Sequence, residues 1–207
     1  MAGATSLRKD TFASLSNPNF RRYFAGQSVS NIGNWMQIIG QSWLVLQLTG
    51  SATALGAVVA CQTLPVLLLG AYGGVVADRS DKRRLLIKLM AGKGVLALIL
   101  GLLVVSGAAQ LWHVFVLAAL LGLTNCFEMP TRQSFVQEIV GADHLRNAVS
   151  LNSVLINAAR TVGPAAAGII IATGGIGACF LINAASFIAP LLSLSTMDTA
   201  SLHPSPP

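Results

Sequence analysis

Polar and ionisable side chains recur inside long apolar stretches of this sequence, where they are costly unless they have a partner. Arg160 and Glu128 are the ionisable examples. An arginine within an apolar stretch is a candidate for a functional site, and a carboxylate there can carry a proton. The sequence shows no nucleophile–base pair, no phosphate-binding loop and no set of metal ligands. These residue types therefore favour binding of a polar solute over catalysis, and we expect neither a cofactor nor a metal.

The first apolar stretch carries a stripe of polar side chains within an arc of about 120° of a helix. Unpaired amides facing lipid would each be costly, so the stripe must face other helices or water. Two interpretations remain open. The stripe either joins neighbouring helices by hydrogen bonds or lines a substrate pathway. Its members are Gln27, Ser30, Asn31, Asn34, Gln37 and Gln41.

A second polar face occurs in the fifth apolar stretch, where the polar residues share one side of a helix. Arg160 lies about 18 Å into that stretch, too deep to reach the surface easily. It has either a transport role or a structural role, in which it binds carbonyl and amide groups. Small residues after it let another backbone approach closely, and a proline there removes a backbone donor. The face comprises Ser153, Asn157, Arg160 and Pro164, and the expected helix-packing motif comprises Gly163, Pro164 and Gly168.

The elements that carry these side chains are expected to be membrane-spanning helices. Of the 207 residues, 54% are hydrophobic and 10% are charged, whereas soluble domains have about 25% charged residues. Apolar runs of about 20 residues match a helix across a bilayer core of about 30 Å, and they lack the alternation of barrel strands. We predict an all-α membrane protein with six transmembrane helices. The predicted spans are 24–48, 53–77, 85–106, 111–129, 148–173 and 176–196.

The basic residues predict an orientation. Eleven of the 13 Lys and Arg residues lie on one face of the predicted topology, and none lies in the three opposite loops. The positive-inside rule then places both termini in the cytoplasm, with the protein in the plasma or inner membrane. These loops also explain the net charge of +6, so nucleic acid is not an expected partner. We predict a cytoplasmic segment at 1–23, a six-helix bundle at 24–196 and a disordered cytoplasmic tail at 197–207.

Three features near the cytoplasmic ends of spans 3 to 5 are harder to interpret. Lys93 either extends its side chain to the cytoplasmic surface or has a functional role. Glu128 is either a solvated interfacial acid or a gating or proton-binding group. Pro130 follows it and argues against a helical ion pair with Arg132. The amphipathic segment 131–147 is a candidate to lie along the membrane surface.

Several stretches together resemble the major facilitator superfamily. GVVADRSDKRR at 74–84 resembles the loop between helices 2 and 3 of that superfamily, with Asp81 where the common pattern has Gly. GPAAAG is similar to the Gly-Pro motif of its antiporters. The resemblance covers residues 16–195 and is to the branch of drug and siderophore exporters that includes the enterobactin exporter. The other stretches are NFRRYFAGQSVSNIGNWM, WLVLQLTGSATALG, MPTRQSFVQEIV and HLRNAVSLNSVLINAARTVGPAAAG.

The resemblance implies two six-helix halves that enclose a central site and rock between inward and outward states. This chain would be the N-terminal half, and its partners would be the lipid bilayer, a small-molecule substrate and a C-terminal six-helix half. It would export that substrate by alternating access coupled to protons. A six-span channel, a structural membrane protein and a half transporter that pairs with a second copy remain alternatives.

The resemblance also assigns roles to individual residues. The polar face of span 5 adds Asn157 and Arg160 to the expected substrate pathway. The expected gating loop comprises Gly74, Asp78, Arg79 and Arg83. The expected substrate pathway comprises Gln27, Asn31, Asn34, Gln41, Asn125, Asn157 and Arg160. The candidate proton sites are Glu128 and Asp78.

Overall fold

The computed structural model describes residues 13–203, which form helices and short connections and contain no β-strand. Short 3-10 turns at Ala13–Ser16 and Thr199–Ser201 flank the bundle. Parts of two predicted segments lie outside the described residues, namely 1–12 of the N-terminal segment and 204–207 of the tail. The helices are α1 (Pro18–Thr49), α2 (Ala52–Asp78), α3 (Lys82–Val105), α4 (Leu111–Gly174), α5 (Ile176–Ser186) and α6 (Ile188–Ser195).

The local sequence explains where the helices begin. The side chain of Asn17 accepts two backbone N–H groups from the first turn of α1. Pro18 follows at the first helical position, where no backbone donor is needed. Helix α1 thus begins within the predicted segment 1–23. Asp81 caps α3 by accepting the backbone N–H of Arg84 at 2.9 Å, which gives a physical reason for an aspartate at this position.

Helix α4 differs most from the predicted spans. Its 64 residues include spans 4 and 5 and the segment between them. Gly141 breaks the helix with φ 70° and ψ 176°, a conformation that glycine adopts readily and other residues rarely do. Phe135 and Ile139 of the connecting segment are fully buried against α1, α3 and α6. Residues 131–140 therefore pack against the bundle, whereas most of residues 142–147 are exposed.

Four helical stretches are long and apolar enough to cross a membrane. Helix α1 has 32 residues and is also long enough, but its polar stripe lowers its hydropathy. Large apolar side chains point outward, as on Leu67, which is 81% exposed, while amides are buried inside. This is the reverse of a water-soluble protein and fits a lipid environment. The four stretches are Ala52–Asp78, Lys82–Val105, Leu111–Gly174 and Ile176–Ser195.

Charged residues meet at one end of the bundle, which we call the charged end. It is formed by the start of α1, the connection between α2 and α3, the residues around Gly141 and the end of α6. There Arg83 donates to the carbonyl oxygens of Leu194 at 2.6 Å and Ser195 at 2.9 Å. Carbonyls at a helix C-terminus lack partners within the helix and attract cations. Arg83 thus ties α3 to the end of α6.

The residues after α6 continue along the charged end. Asn19 donates to the carbonyl of Asp198 at 2.7 Å and accepts the backbone N–H of the same residue at 3.1 Å. The backbone N–H of His203 reaches the carbonyl of Glu138 at 2.8 Å. Residues 197–203 therefore differ from the predicted disordered tail, because each contact ties them to α1 or α4.

Candidate functional site

A cavity of about 250 Å³ lies between α1, α2, α3 and the first part of α4, and we call it the polar cavity. Six of its lining residues carry a carboxamide and three are charged. Trp35, Ile38 and Leu121 supply the apolar remainder. The carboxamides are Asn31, Asn34, Gln37, Gln41, Gln62 and Asn125, and the charged residues are Lys93, Glu128 and Arg132.

Helix α1 supplies most of the amides because its stripe keeps helical spacing. Asn31, Asn34 and Gln41 lie three or seven residues apart and share one side of the helix. Gln27 belongs to the same stripe but does not line the polar cavity. It is 1% exposed, and its amide nitrogen lies 3.7 Å from the sulfur of Met90. The stripe thus has two roles, since part of it lines a cavity and part of it packs against α3.

Three charged residues form a buried cluster at the wall of the polar cavity, which we call the ion triad. Glu128 Oε2 accepts from Lys93 Nζ at 2.7 Å, and Glu128 Oε1 accepts from Arg132. Lys93 Nζ also donates to Asn125 Oδ1 at 3.1 Å. The side chains of Lys93, Glu128 and Arg132 are 7%, 5% and 18% exposed. One buried carboxylate therefore pairs with two cations from two helices.

The ion triad corrects two expectations from the sequence. Lys93 is buried in an ion pair, so the expectation that it reaches the cytoplasmic surface is wrong. Pro130 lies inside α4 without ending it, so Glu128 and Arg132 share one face and form the ion pair that the sequence argued against. A proline inside a helix removes the hydrogen bond of its own N–H and disturbs the preceding turn, but here the helix continues through it.

The polar face of the fifth predicted span lies mostly away from the polar cavity. Asn157 is exposed, and its amide nitrogen donates back to the carbonyl of Ser153 at 2.8 Å. Arg160 is also exposed and lies 5.5 Å from the ring centroid of Trp35, within the range of a cation–π contact. Among residues 13–203, no carboxylate pairs with it. Arg160 thus contacts the cavity wall through Trp35.

The expected helix-packing motif makes its close contact at one of its two glycines. Any side chain at Gly163 would collide with the β-carbon of Trp35, and its Cβ would lie 3.0 Å from the carbonyl oxygen of Ile32. At Gly168, nothing lies within 4 Å of an added Cβ. Pro164 between them is half-buried. The second half of α4 therefore crosses α1 at Gly163.

A second cavity, of about 580 Å³, lies at the charged end. Three of the expected gating residues line it, namely Asp78, Arg79 and Arg83. The side chain of Asp78 is exposed and makes no hydrogen bond or ion pair within the described part of the chain. Gly74 is half-buried with open space beside it. Lys82 and Glu138 close one side of this cavity with an ion pair of 2.8 Å.

Sequence reasoning did not assign three polar lining residues to the polar cavity: Gln62, Lys93 and Arg132. Two signals were available. Gln62 is the only carboxamide in the predicted span 53–77, so it needed an explanation. Lys93 and Glu128 lie in neighbouring apolar stretches with opposite charges, and buried charges occur paired. Which cation would meet which acid depends on how α3 packs against α4, and no spacing within one helix gives that.

The chain is similar in sequence to a family of membrane proteins and to several transporters. A family model described as a transmembrane secretion effector matches residues 9–205. The chain is 35% identical over 174 residues to the staphyloferrin A transporter of Staphylococcus aureus, covering 83% of this chain and 44% of that protein. It is 34% identical over 178 residues to the multidrug efflux pump Tap of Mycolicibacterium fortuitum, covering 80% and 42%.

A third relative is an uncharacterized MFS-type transporter, YfiS, of Bacillus subtilis. It is 30% identical over 167 residues, covering 79% of this chain and 38% of that protein. The chain thus spans less than half the length of the three relatives named here.

Proposed function

Because this chain belongs to the major facilitator superfamily, whose members matched here are transporters and not enzymes, we propose that it forms one six-helix half of a secondary transporter. The whole transporter exports a small molecule across the inner membrane by alternating access. The observation that carries the proposal is the polar cavity, in which amides and three ionic groups are buried within an otherwise apolar bundle.

Six membrane crossings are part of the proposal. Helix α1 can cross despite its amides because they face the polar cavity and neighbouring helices, not lipid. The two parts of α4 on either side of Gly141 each exceed 20 residues, enough for a bilayer core of about 30 Å. Helices α5 and α6 together make the last crossing. The positive-inside rule then places the charged end in the cytoplasm.

We assign substrate contact to the wall of the polar cavity, with Asn31, Asn34, Gln41 and Asn125 as hydrogen-bonding groups. A buried amide without a hydrogen-bonding partner is costly. A polar solute that supplies this partner is therefore favoured in a site that excludes most water. Asn157 and Arg160 lie on an exposed polar face beside the cavity. We assign that face to contact with a second six-helix half, which would cover groups that lipid cannot satisfy.

The charged end is the proposed gate. Arg83 is fixed on the carbonyls of α6 and holds the connection between α2 and α3 in place. Asp78 and Arg79 are exposed beside it. We propose that Asp78 meets a helix N-terminus of the second half when the gate is closed, since carboxylates are favoured there.

Coupling to protons is assigned to the ion triad. Protonation of Glu128 would remove the charge that balances Lys93 and Arg132, and the two cations would then repel each other across α3 and α4. Helix packing at the cavity wall would change as a result. Movement of a proton is thus linked to movement of a helix, which is what coupling needs.

The test is reconstitution in two parts. The 207-residue chain is co-expressed with a matching C-terminal six-helix half, and the pair is purified into liposomes with an imposed proton gradient. A panel of labelled drugs and siderophores is then assayed for uptake. We expect saturable uptake of at least one compound by the pair and none by the chain alone.

Two variants sharpen the test. Asp78→Asn should weaken uptake without reducing recovery of the pair, and Glu128→Gln should remove the response to the proton gradient. Saturable uptake by the chain alone would contradict the half-transporter proposal and indicate a homodimer. Linear, non-saturating flux by the pair would indicate a channel.

A further inference from the structure

We propose that the polar cavity selects a small molecule that carries carboxylate groups, which would bind to unused N–H donors of the cavity wall. The inference rests on the proposed function, because it names the substrate class of that same site. It depends on the charge of the wall and on the hydrogen-bonding capacity that the wall leaves unused.

The charges lining the polar cavity do not balance. Lys93 and Arg132 contribute two positive charges and Glu128 contributes one negative charge. Both oxygens of Glu128 already accept hydrogen bonds from these cations. The carboxylate thus has little capacity left for a ligand, and one positive charge remains without a counter-charge. A charge in a low-dielectric site attracts an opposite charge more strongly than it would in water.

The amides show the same imbalance between donors and acceptors. Among the six cavity carboxamides, three carbonyl oxygens accept a hydrogen bond from another described residue, whereas one nitrogen donates a hydrogen bond to one. The occupied oxygens belong to Gln37, Gln62 and Asn125, and the occupied nitrogen to Gln41. The wall thus leaves somewhat more N–H donors than acceptor positions unused, and a ligand rich in acceptor oxygens can satisfy those donors.

Two of the unused donors are buried. Asn31 is 9% exposed, and its side-chain nitrogen has no acceptor among the described residues. The Nε of Arg132 is likewise buried without an acceptor, while its terminal nitrogen donates to Glu128. Buried donors without partners are uncommon and costly. Both residues line the polar cavity, and a carboxylate bound there would balance the excess positive charge.

A cationic ligand would meet the opposite conditions. It would bring a third positive charge beside Lys93 and Arg132, and it would compete with them for both oxygens of Glu128. Three of the six amide oxygens already accept a hydrogen bond, so the donors of such a ligand would find fewer unused acceptors than an anion would find unused donors. The wall therefore discriminates against cations as well as attracting anions, which is how specificity is commonly built.

The experiment uses the 207-residue chain in neutral detergent, with Trp35 as a reporter in the cavity wall. The other two tryptophans, Trp43 and Trp112, are exposed and are replaced by phenylalanine. The probes are tricarballylate, its neutral triamide and tetrapropylammonium. We expect a saturable change in Trp35 fluorescence with tricarballylate, with a dissociation constant below about 10 mM, and no change with the other two.

Matched variants locate the binding. Arg132→Gln should weaken tricarballylate binding by about tenfold or more, as expected for loss of a charged hydrogen bond. Arg146→Gln removes an exposed arginine of the same helix outside the polar cavity and should have no effect. Asn31→Ala leaves the ion triad intact and should weaken binding severalfold, which keeps the test valid if Arg132→Gln does not fold.

Three outcomes would overturn the inference: no response to tricarballylate, an equal response to the triamide, or saturable binding of tetrapropylammonium instead. Equal losses from Arg132→Gln and Arg146→Gln would also overturn it, because binding would then follow surface charge. Uptake by the reconstituted pair separates the two proposals. Uptake without carboxylate selection refutes only this inference, and carboxylate binding without uptake refutes only the proposed function.

Discussion

Removing the charge of Glu128 should destabilise the bundle more than removing either of its partners. Glu128→Gln keeps the shape of the side chain but leaves Lys93 and Arg132 as two uncompensated cations in the interior. Breaking a buried ion pair by removing one partner costs about 3–5 kcal/mol. We expect at least that loss here, because one carboxylate serves two cations.

Lys93→Met should lower the stability of the bundle less than Glu128→Gln does, because Glu128 and Arg132 still form a balanced ion pair. It removes two charged hydrogen bonds but leaves no buried charge without a partner, so its loss of stability should stay below that of Glu128→Gln. The double variant, Glu128→Gln with Lys93→Met, leaves Arg132 as the one remaining cation of the ion triad. We therefore expect it to be more stable than the sum of the two single changes predicts, by about 1 kcal/mol or more.

The measurement is equilibrium unfolding of the detergent-solubilised chain by titration with sodium dodecyl sulfate, followed by far-ultraviolet circular dichroism. Asp81→Asn is the matched control. It removes an ion pair with Arg84 whose side chains are 54% and 79% exposed, and asparagine still caps the helix. The free energy of unfolding of the control should fall by less than about 1 kcal/mol. A loss for Glu128→Gln equal to that of the control, or smaller than that of Lys93→Met, would refute the reasoning.

Three further predictions concern topology, transport and packing. In a background without the three native cysteines, Ser80→Cys should react with an impermeant thiol reagent only from the cytoplasmic side and Gly50→Cys only from outside; labelling of both from one side would contradict the topology. Arg160→Gln should leave the abundance of the two-half transporter unchanged but reduce its flux, whereas loss of the protein from the membrane would show a structural role. Gly163→Ala should destabilise the chain by about 1–3 kcal/mol, because its methyl group would collide with α1, while Gly168→Ala should be neutral or slightly stabilising; equal effects in the same unfolding assay would contradict the crossing at Gly163.

Much of the architecture follows from single-helix patterns in the sequence. The apolar runs predicted the helices, and the polar stripe of α1 predicted a buried face, because periodicity reports which side of a helix is buried. The break at Gly141 was harder to anticipate. The segment 131–147 is amphipathic with helical period, and such a period is equally typical of a surface helix and of a helix packed against a bundle. Burial of Phe135 and Ile139 shows that the first part of the segment packs against the bundle.

The polar cavity could be predicted only in part. Asn31, Asn34 and Gln41 share a face of one helix, which their spacing gives directly. The ion triad joins α3 to α4, and its pairing depends on how far α3 is rotated and shifted against α4. Gly163 and Gly168 make the same point, since both suit a close contact by residue type, but only Gly163 faces α1. Contacts between helices thus limit what the sequence alone provides.

The most direct test of alternating access is the reactivity of Asn34→Cys in the polar cavity of the two-half transporter, measured in cysteine-free right-side-out and inside-out membranes. Asp78→Asn is then added to weaken the proposed gate at the charged end. We predict reciprocal changes: the variant should speed labelling of the cavity from the cytoplasmic side and slow it from the outside. Unchanged rates from both sides, or equal increases from both, would contradict a gated half transporter, because a gate at one end must close the cavity at the other as it opens.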